Sequence, residues 1–227
     1  MYPLGQIPDK IIIGIGKWIT YRYAVGQSDI DGEDWGDIFA QAIGGEHLSA
    51  PLGLADVVYE GMAWSVKSVK NDNPHNSGRI RVISGRCSPD FSYGISDPRA
   101  DITATGAAVL GIYNERINIA KEHYEPLRTS LLIRNMNKLE FALFEHDTVR
   151  YNPHEYEWRV NKRGNIEGFE LATNTHKFTW QPHGSQLTII YDVSASSKKF
   201  TIQRPPVLDF EQVMQQVGFE PGWVTIK

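Results

Sequence analysis

The stretch Pro51–Lys70, PLGLADVVYEGMAWSVKSVK, organises the rest of the chain. Two short apolar segments flank Glu60-Gly61-Met62, a pattern typical of a β-hairpin with glycine near its tip. If the two-residue turn is Glu60-Gly61, Asp56 lies opposite Ser65; if it is Gly61-Met62, Asp56 lies opposite Lys67. Both registers put Asp56, Ser65 and Lys67 on one face of the hairpin. Side chains alternate between the two faces of a strand, so a change of the strand pairing by two residues leaves every side chain on the same face. A three-residue loop would break this arrangement.

An aspartate and a lysine on one hairpin face have two interpretations. The first is a cross-strand ion pair, which contributes at most about 1 kcal/mol when exposed. The second is catalytic, because the stretch resembles the core of the PD-(D/E)xK nucleases, the superfamily of most restriction endonucleases. In that family an aspartate opens one strand of a hairpin, and an acid-x-lysine sequence follows on the next. Here Ala55 replaces the proline and Ser65 occupies the acidic position, which is similar to a branch with Ser-x-Lys and a carboxylate supplied by a helix.

This resemblance implies an α+β protein with an α/β core: a restriction-endonuclease-like mixed sheet flanked by helices. We expect residues 1–126 to form the nuclease core, and residues 127–227 to form an antiparallel β-rich extension for DNA recognition, packed on the core as one domain. The implied function is Mg²⁺-dependent, sequence-specific hydrolysis of double-stranded DNA. Asp56, Ser65 and Lys67 would be catalytic, and Asp56 with Glu46 would bind the metal.

The second metal-binding carboxylate remains open at this point. A helix predicted over residues 28–45 carries three candidates near its start, and a helix predicted over 100–124 carries another in its middle. Acids in a first helical turn are also favoured by the helix dipole regardless of function. We favour an acid in the loop after the Gly44-Gly45 pair, ten residues before Asp56. The candidates are Glu33, Asp34, Asp37, Glu46 and Glu115.

Composition and charge are compatible with this interpretation. The 227 residues include 41% apolar and 22% charged residues, which is ordinary for a globular domain. The single cysteine, Cys87, excludes an internal disulfide framework and a cysteine-based zinc cluster. Residues 1–61 hold nine acidic and three basic residues, a net charge of −6, whereas residues 62–86 hold five basic residues and one acidic, a net charge of +4. This distribution is typical of a metal-dependent phosphodiesterase, in which carboxylates bind the metal cations and nearby basic residues contact the phosphates.

The predicted DNA contacts lie at the end of the hairpin stretch, on the basic strand expected over residues 79–86, and on two polar turns of the β-rich half. Arginine and glutamine are side chains that read base edges. A solvated strand face and two ordinary turns would explain the same residues without DNA. The candidates are Lys70, Arg79, Arg81, Arg86, Arg163, Gln181, His183 and Gln186.

Outside these regions the sequence predicts structure without chemistry. Residues 1–27 mix aromatic and β-branched residues and predict a strand or a docking arm. Residues 89–98 predict a loop, residues 127–203 predict seven short strands, and residues 207–218 predict an amphipathic helix. No apolar run approaches a membrane span or a secretory leader. A single cysteine suits the reducing cytosol, and together with the restriction-endonuclease resemblance this leads us to expect a prokaryotic cytoplasmic protein.

Cutting two antiparallel strands suits two-fold symmetry, so we expect a homodimer, with a monomer that nicks each strand in turn as the alternative. The runner-up function is a DNA-binding module on the same fold that does not cleave. A third interpretation takes the six tryptophans and the β-rich half as a carbohydrate-binding domain.

Overall fold

The structure is a computed structural model that describes residues 2–227, and it has mixed α and β content. Over those residues it contains five α-helices and eleven β-strands. The helices are α1 (Asp9–Ala24), α2 (Gly32–Ile43), α3 (Pro89–Tyr93), α4 (Ile102–Lys121) and α5 (Phe210–Val217). The strands are β1 (Glu46–Leu52), β2 (Ala55–Tyr59), β3 (Met62–Lys70), β4 (Arg79–Arg86), β5 (Leu127–Asn135), β6 (Glu140–Asp147), β7 (Tyr156–Val160), β8 (Ile166–Glu170), β9 (His176–Gln181), β10 (Gln186–Asp192) and β11 (Lys198–Thr201).

The strands form two sheets. The mixed sheet has the order β1-β2-β3-β5-β6-β11, in which β3 and β5 are parallel and the other neighbours are antiparallel. A parallel pair needs a crossover, and α4 lies in the connection between β3 and β5. The second sheet, β4-β10-β9-β8-β7, is antiparallel throughout. Sheet membership cuts across the predicted boundary at residues 126 and 127, because β4 joins the second sheet and β5 and β6 join the first.

Both faces of the mixed sheet are buried. On one face α1 and α2 pack in a cluster that includes Ile15, Phe39 and Trp64, each 0% exposed. On the other face α4 and the inner side of the second sheet form a cluster that includes Leu110 and Phe178, also 0% exposed. The mixed sheet is therefore flanked by helices, and the second sheet extends one side of that core.

Three local predictions of secondary structure were wrong. Residues 1–27 contain a helix, α1, rather than a strand or an arm, because Ile11, Ile15 and Ile19 repeat every four residues and bury one stripe. That stripe outweighs the β-branched and aromatic residues that favoured a strand. The predicted loop around Glu46 is strand β1, which pairs with β2, and the predicted loop 89–98 includes the short helix α3.

The helices that flank the hairpin were predicted in type and position. Asp31 caps α2 and forms a capping box with Asp34, and Gly44 ends the helix in the left-handed conformation. Helix α4 lies within the predicted range 100–124. These boundaries depend on local signals, so the sequence was sufficient to find them.

The hairpin turn is Glu60-Gly61, the first of the two registers. Both residues have positive φ, 48° and 79°, as a two-residue hairpin turn of the primed type requires. Val57 then pairs with Trp64, and Tyr59 with Met62. Strand β2 begins at Ala55, whereas β3 runs on to Lys70, so the last part of β3 has no β2 partner on that edge.

Candidate active site

Asp56 lies at the start of β2, next to the part of β3 that has no β2 partner. Its Oδ2 atom accepts hydrogen bonds from the Lys67 ammonium at 2.7 Å, the Val66 backbone N–H at 2.9 Å and the Ser65 hydroxyl at 3.3 Å. The Asp56 and Lys67 side chains are 16% and 23% exposed. The predicted convergence of Asp56, Ser65 and Lys67 is therefore confirmed, and their catalytic roles remain predictions.

Asp56 and Lys67 line an open cavity of about 410 Å³. The start of α2 and strand β1 supply one side of this cavity, and β3, β4 and β5 supply the rest. Carboxylates, an imidazole and two cationic groups thus face one space. The polar side chains lining it are Asp31, Glu33, His47, Ser49, Asp56, Lys67, Ser68 and Arg134.

Of the five acids predicted as partners of Asp56, Glu33 is the one that lines this cavity. Its side chain is 91% exposed, and its one ionisable neighbour within 4 Å in residues 2–227 is the His47 ring, whose Nε2 atom lies 3.9 Å from Glu33 Oε2. Asp31 also lines the cavity, but its carboxylate accepts the N–H of Asp34 at the start of α2. Neither oxygen atom of Glu33 accepts a hydrogen bond within residues 2–227, so both are available to a ligand in this cavity.

The other four candidate acids do not line this cavity. Arg22 holds Asp34 at 2.5 Å and Asp37 at 3.1 Å. Glu46, which the sequence favoured, pairs with Val58 and lines a different cavity beside the hairpin tip. Glu115 is exposed on α4 and accepts a hydrogen bond from the Tyr93 hydroxyl at 3.1 Å.

Sequence reasoning missed His47 and Arg134. The Nδ1 atom of His47 lies 2.8 Å from Asp37 Oδ1, and the ring packs so closely on α2 that a Cβ at Gly36 would lie 2.3 Å from Nε2. Arg134 is only 7% exposed, bonds Asp29 at 3.1 Å and reaches the Ser68 hydroxyl at 3.1 Å. The signal for Arg134 is its position on β5, where it pairs with Lys70 across the parallel strands.

A second ion-pair cluster adjoins the cavity. Lys70 is 72% exposed and lies 2.7 Å from Asp29, which Arg134 also contacts. Partial burial raises the pKa of Asp29, but the hydrogen bonds from Lys70 and Arg134 outweigh it and hold this pKa below its ordinary value. Lys70 is therefore a cation tethered to Asp29, and it lines a neighbouring cavity that shares Arg134 with the Asp56 cavity.

Three of the predicted DNA contacts share the outer face of one strand. Arg79, Arg81 and Arg86 are exposed on β4, and Ile83 of the same strand lines the Asp56 cavity. Arg79 lies 3.0 Å from Asp192, and Arg81 donates to the Thr179 hydroxyl at 2.7 Å. A basic strip therefore leads from the cavity along the outer face of the second sheet.

Two further candidates extend this strip and two do not. Gln186 pairs with Arg86 on one side and with Gln181 on the other, so these three residues form a row across adjacent strands. His183 is exposed in the turn that joins β9 and β10. Arg163 is exposed in the turn between β7 and β8, at the opposite edge of the second sheet from β4.

No group of three metal-ligating side chains comes together anywhere in residues 2–227. Two carboxylates, those of Asp56 and Glu33, nevertheless face one cavity, and Mg²⁺ is commonly held by one or two carboxylates with water completing its shell. The donor set of the cavity is therefore compatible with Mg²⁺ and with hard oxygen ligands in general.

Comparison with known proteins yields no further guide. No family model, no curated protein and no solved structure matches this chain. None of the helices in the described part of the chain has the length and apolar character needed to cross a membrane. What the protein does must therefore be argued from the site itself.

Proposed function

We propose that the protein is a Mg²⁺-dependent endonuclease that hydrolyses phosphodiester bonds of double-stranded DNA on a restriction-endonuclease-like fold. The observation that carries the proposal is the 2.7 Å contact between Lys67 and Asp56, in a cavity that also contains the free carboxylate of Glu33. An aspartate at the start of one hairpin strand and a lysine on the next are the parts that the PD-(D/E)xK resemblance requires.

The topology supports the same class. A meander of β1, β2 and β3 is followed by α4 and then by β5, which pairs parallel to β3 in the centre of the sheet. The resemblance implies a mixed sheet flanked by helices with the hairpin inside it. The antiparallel second sheet is the counterpart of the expected β-rich extension.

Asp56 and Glu33 would hold the cation. The Oδ2 atom of Asp56 already accepts three donors, whereas Oδ1 accepts no hydrogen bond within residues 2–227 and would be the ligand atom. When bound, Mg²⁺ supplies positive charge to the phosphate oxygens and lowers the pKa of a bound water. Glu33 here takes the place that the sequence had assigned to Glu46.

The residues around the proposed cation site would have different roles in hydrolysis. Lys67 is fixed by Asp56, and its ammonium has further donor hydrogens for a phosphate oxygen or for the attacking water. Ser65 and the Val66 N–H orient the Asp56 carboxylate, so the serine in the acidic position acts on Asp56 rather than on the cation. Arg134, buried and held by Asp29, contributes positive charge at the cavity wall.

The basic strip would meet the DNA. Arg79 and Arg81 would contact phosphates, and the row Arg86, Gln186 and Gln181 has side chains of the types that bind guanine and adenine edges. Specific cleavage would then depend on the second sheet, and hydrolysis on the mixed sheet.

One observation favours the non-cleaving alternative. Ser65 replaces the acid of the family pattern. A DNA-binding module on this fold would keep the basic strip and lack hydrolysis.

Supercoiled plasmid incubated with the protein and Mg²⁺ separates the two functions. We expect discrete linear fragments, their loss on chelation of Mg²⁺, and their loss in Lys67→Ala and Asp56→Ala with DNA binding largely retained. A shifted but uncut plasmid would favour the binding module. Cleavage by Asp56→Ala at the wild-type rate would refute the proposed site.

A further inference from the structure

The C-terminal arm, residues 207–226, leaves most of its apolar side chains in solvent. The structure exposes twenty large apolar side chains within residues 2–227, and eight of them lie in this arm. They range from 41% exposed for Leu208 to 93% exposed for Ile226. The eight are Val207, Leu208, Phe210, Val217, Phe219, Trp223, Val224 and Ile226.

Helix α5 in this arm buries none of its residues. Its apolar residues Phe210, Val213, Met214 and Val217 follow the i, i+3, i+4, i+7 spacing of a single stripe. It has an N-cap at Asp209 and a left-handed glycine at 218, but only eight residues. A helix of that length is marginal in water without packing of its apolar face, and within residues 2–227 α5 buries no residue that would supply it.

A complementary surface is exposed on α1 and its C-terminal cap. Four further members of the exposed apolar set lie there: Ile13, Trp18, Tyr21 and Val25. The root of the arm is tied to the same place, because the Leu208 N–H donates to the Ala24 carbonyl at 2.7 Å and the Arg204 guanidinium contacts the Tyr23 hydroxyl. The arm therefore starts beside the exposed apolar residues of α1, which makes α1 of a second copy a surface of matching apolar character.

The charges of the two surfaces are opposite. Residues 207–226 contain three acidic residues and no basic residue, whereas α1 contains three basic residues and one acidic. Lys227 follows the arm and leaves residues 207–227 with a net charge of −2. On α1, Arg22 is paired with Asp34 and Asp37, but Lys10 and Lys17 are exposed and form no ion pair with any other residue in 2–227. An acidic arm also disfavours DNA and anionic lipid as occupants.

The area is sufficient for a stable contact. At roughly 100 Å² for each large apolar side chain, the eight side chains of one arm offer roughly 800 Å², the share that one partner contributes to a standard interface. Reciprocal exchange of two arms doubles the contact.

We propose that the C-terminal arm is a dimerisation element: α5 and the residues after it dock on α1 of a second copy of this chain, and the second copy returns the contact. Such an isologous exchange is closed and produces a dimer. The inference goes beyond the proposed nuclease function and does not depend on it.

The first test is the oligomeric state of the full chain by light scattering and sedimentation. We expect a dimer for the wild type and a dissociation constant raised at least about 100-fold by Phe210→Asp combined with Val217→Asp. Phe91→Asp is the matched control, because Phe91 is 92% exposed on α3 outside both surfaces. A monomeric wild type, or a double variant as dimeric as Phe91→Asp, would overturn the proposal.

The second test distinguishes exchange from contact within one chain. One variant carries Lys10→Glu and Lys17→Glu, and the other carries Glu211→Lys and Glu220→Lys. In an exchanged homodimer each variant alone faces like charges, whereas a mixture pairs opposite charges at both contacts. We expect monomers separately and a mixed dimer on combination. Failure of the mixture to dimerise would contradict the exchange, and plasmid cleavage by these variants reports independently on the proposed nuclease.

Discussion

Replacing Asp56 with asparagine tests whether the hairpin ion pair is catalytic or only structural. The amide keeps the shape of the carboxylate but removes its charge from Lys67, Val66 and Ser65, all of which donate to Oδ2. It also removes the charged oxygen that would hold a cation. We therefore expect DNA cleavage to fall by about 10³-fold or more, as for removal of one preorganised electrostatic group in other enzymes.

The effect on stability should be small by comparison. A hydrogen bond to a charged group contributes about 1.5–3 kcal/mol when buried, and solvent reduces this for a partly exposed pair. Because the two side chains are 16% and 23% exposed, we expect a loss of about 1–2 kcal/mol, or roughly 2–8 °C in Tm for a chain of this size. A domain with about 5–15 kcal/mol of stability stays folded after that loss.

The assay compares initial rates of supercoiled-plasmid cleavage in Mg²⁺ with the Tm of the same preparations. Glu60→Gln is the matched control, since Glu60 is an exposed acid on the same hairpin, at its tip and away from the Asp56 cavity. If Asp56→Asn lowers the Tm as expected but cleaves within tenfold of the wild type, the pair is a structural cross-strand contact and the catalytic argument fails.

Three further outcomes follow from the geometry. Glu33→Gln should abolish Mg²⁺-dependent cleavage while Glu46→Gln leaves it intact, and the reverse result in the plasmid assay would restore the acid favoured by the sequence. Arg81→Ala should weaken binding to all DNA sequences and reduce the slope of log K against log salt by about 1. Titrations at several salt concentrations measure this slope, and an unchanged slope would contradict a contact between β4 and DNA. Burial raises the pKa of Glu145 above its ordinary value of 4.5, although Tyr2, Trp64 and Arg128 oppose the shift. The folded state then holds that proton more tightly, so the stabilisation from Glu145 is present below pH 4.5 and is lost as the pH rises through the folded pKa. Glu145→Gln should remove this loss in urea titrations across that pH range, and identical pH profiles would contradict it.

The sequence predicted local structure correctly where the interactions that determine it lie within one short segment. The period of two in a strand placed Asp56, Ser65 and Lys67 on one face, and positive φ at Glu60-Gly61 selected one of the two registers that the sequence allowed. The cap at Asp31 and the glycine at 44 likewise fixed α2 from adjacent residues. Each of these inferences needs contacts over fewer than about 15 residues, where alternation, turn preference and capping act directly.

Tertiary packing decided the rest, because it depends on pairings between distant segments. Glu33 and Glu46 are both near Asp56 in sequence, but the packing of α2 on the sheet turned Glu33 toward the cavity, and the pairing of Glu46 with Val58 carried that acid toward the hairpin tip. Arg134 reached the site because β5 pairs parallel to β3, a contact that only burial of both sheet faces selects. The sequence thus determined which side chains of the hairpin could meet, and the assembled core determined which distant groups meet them.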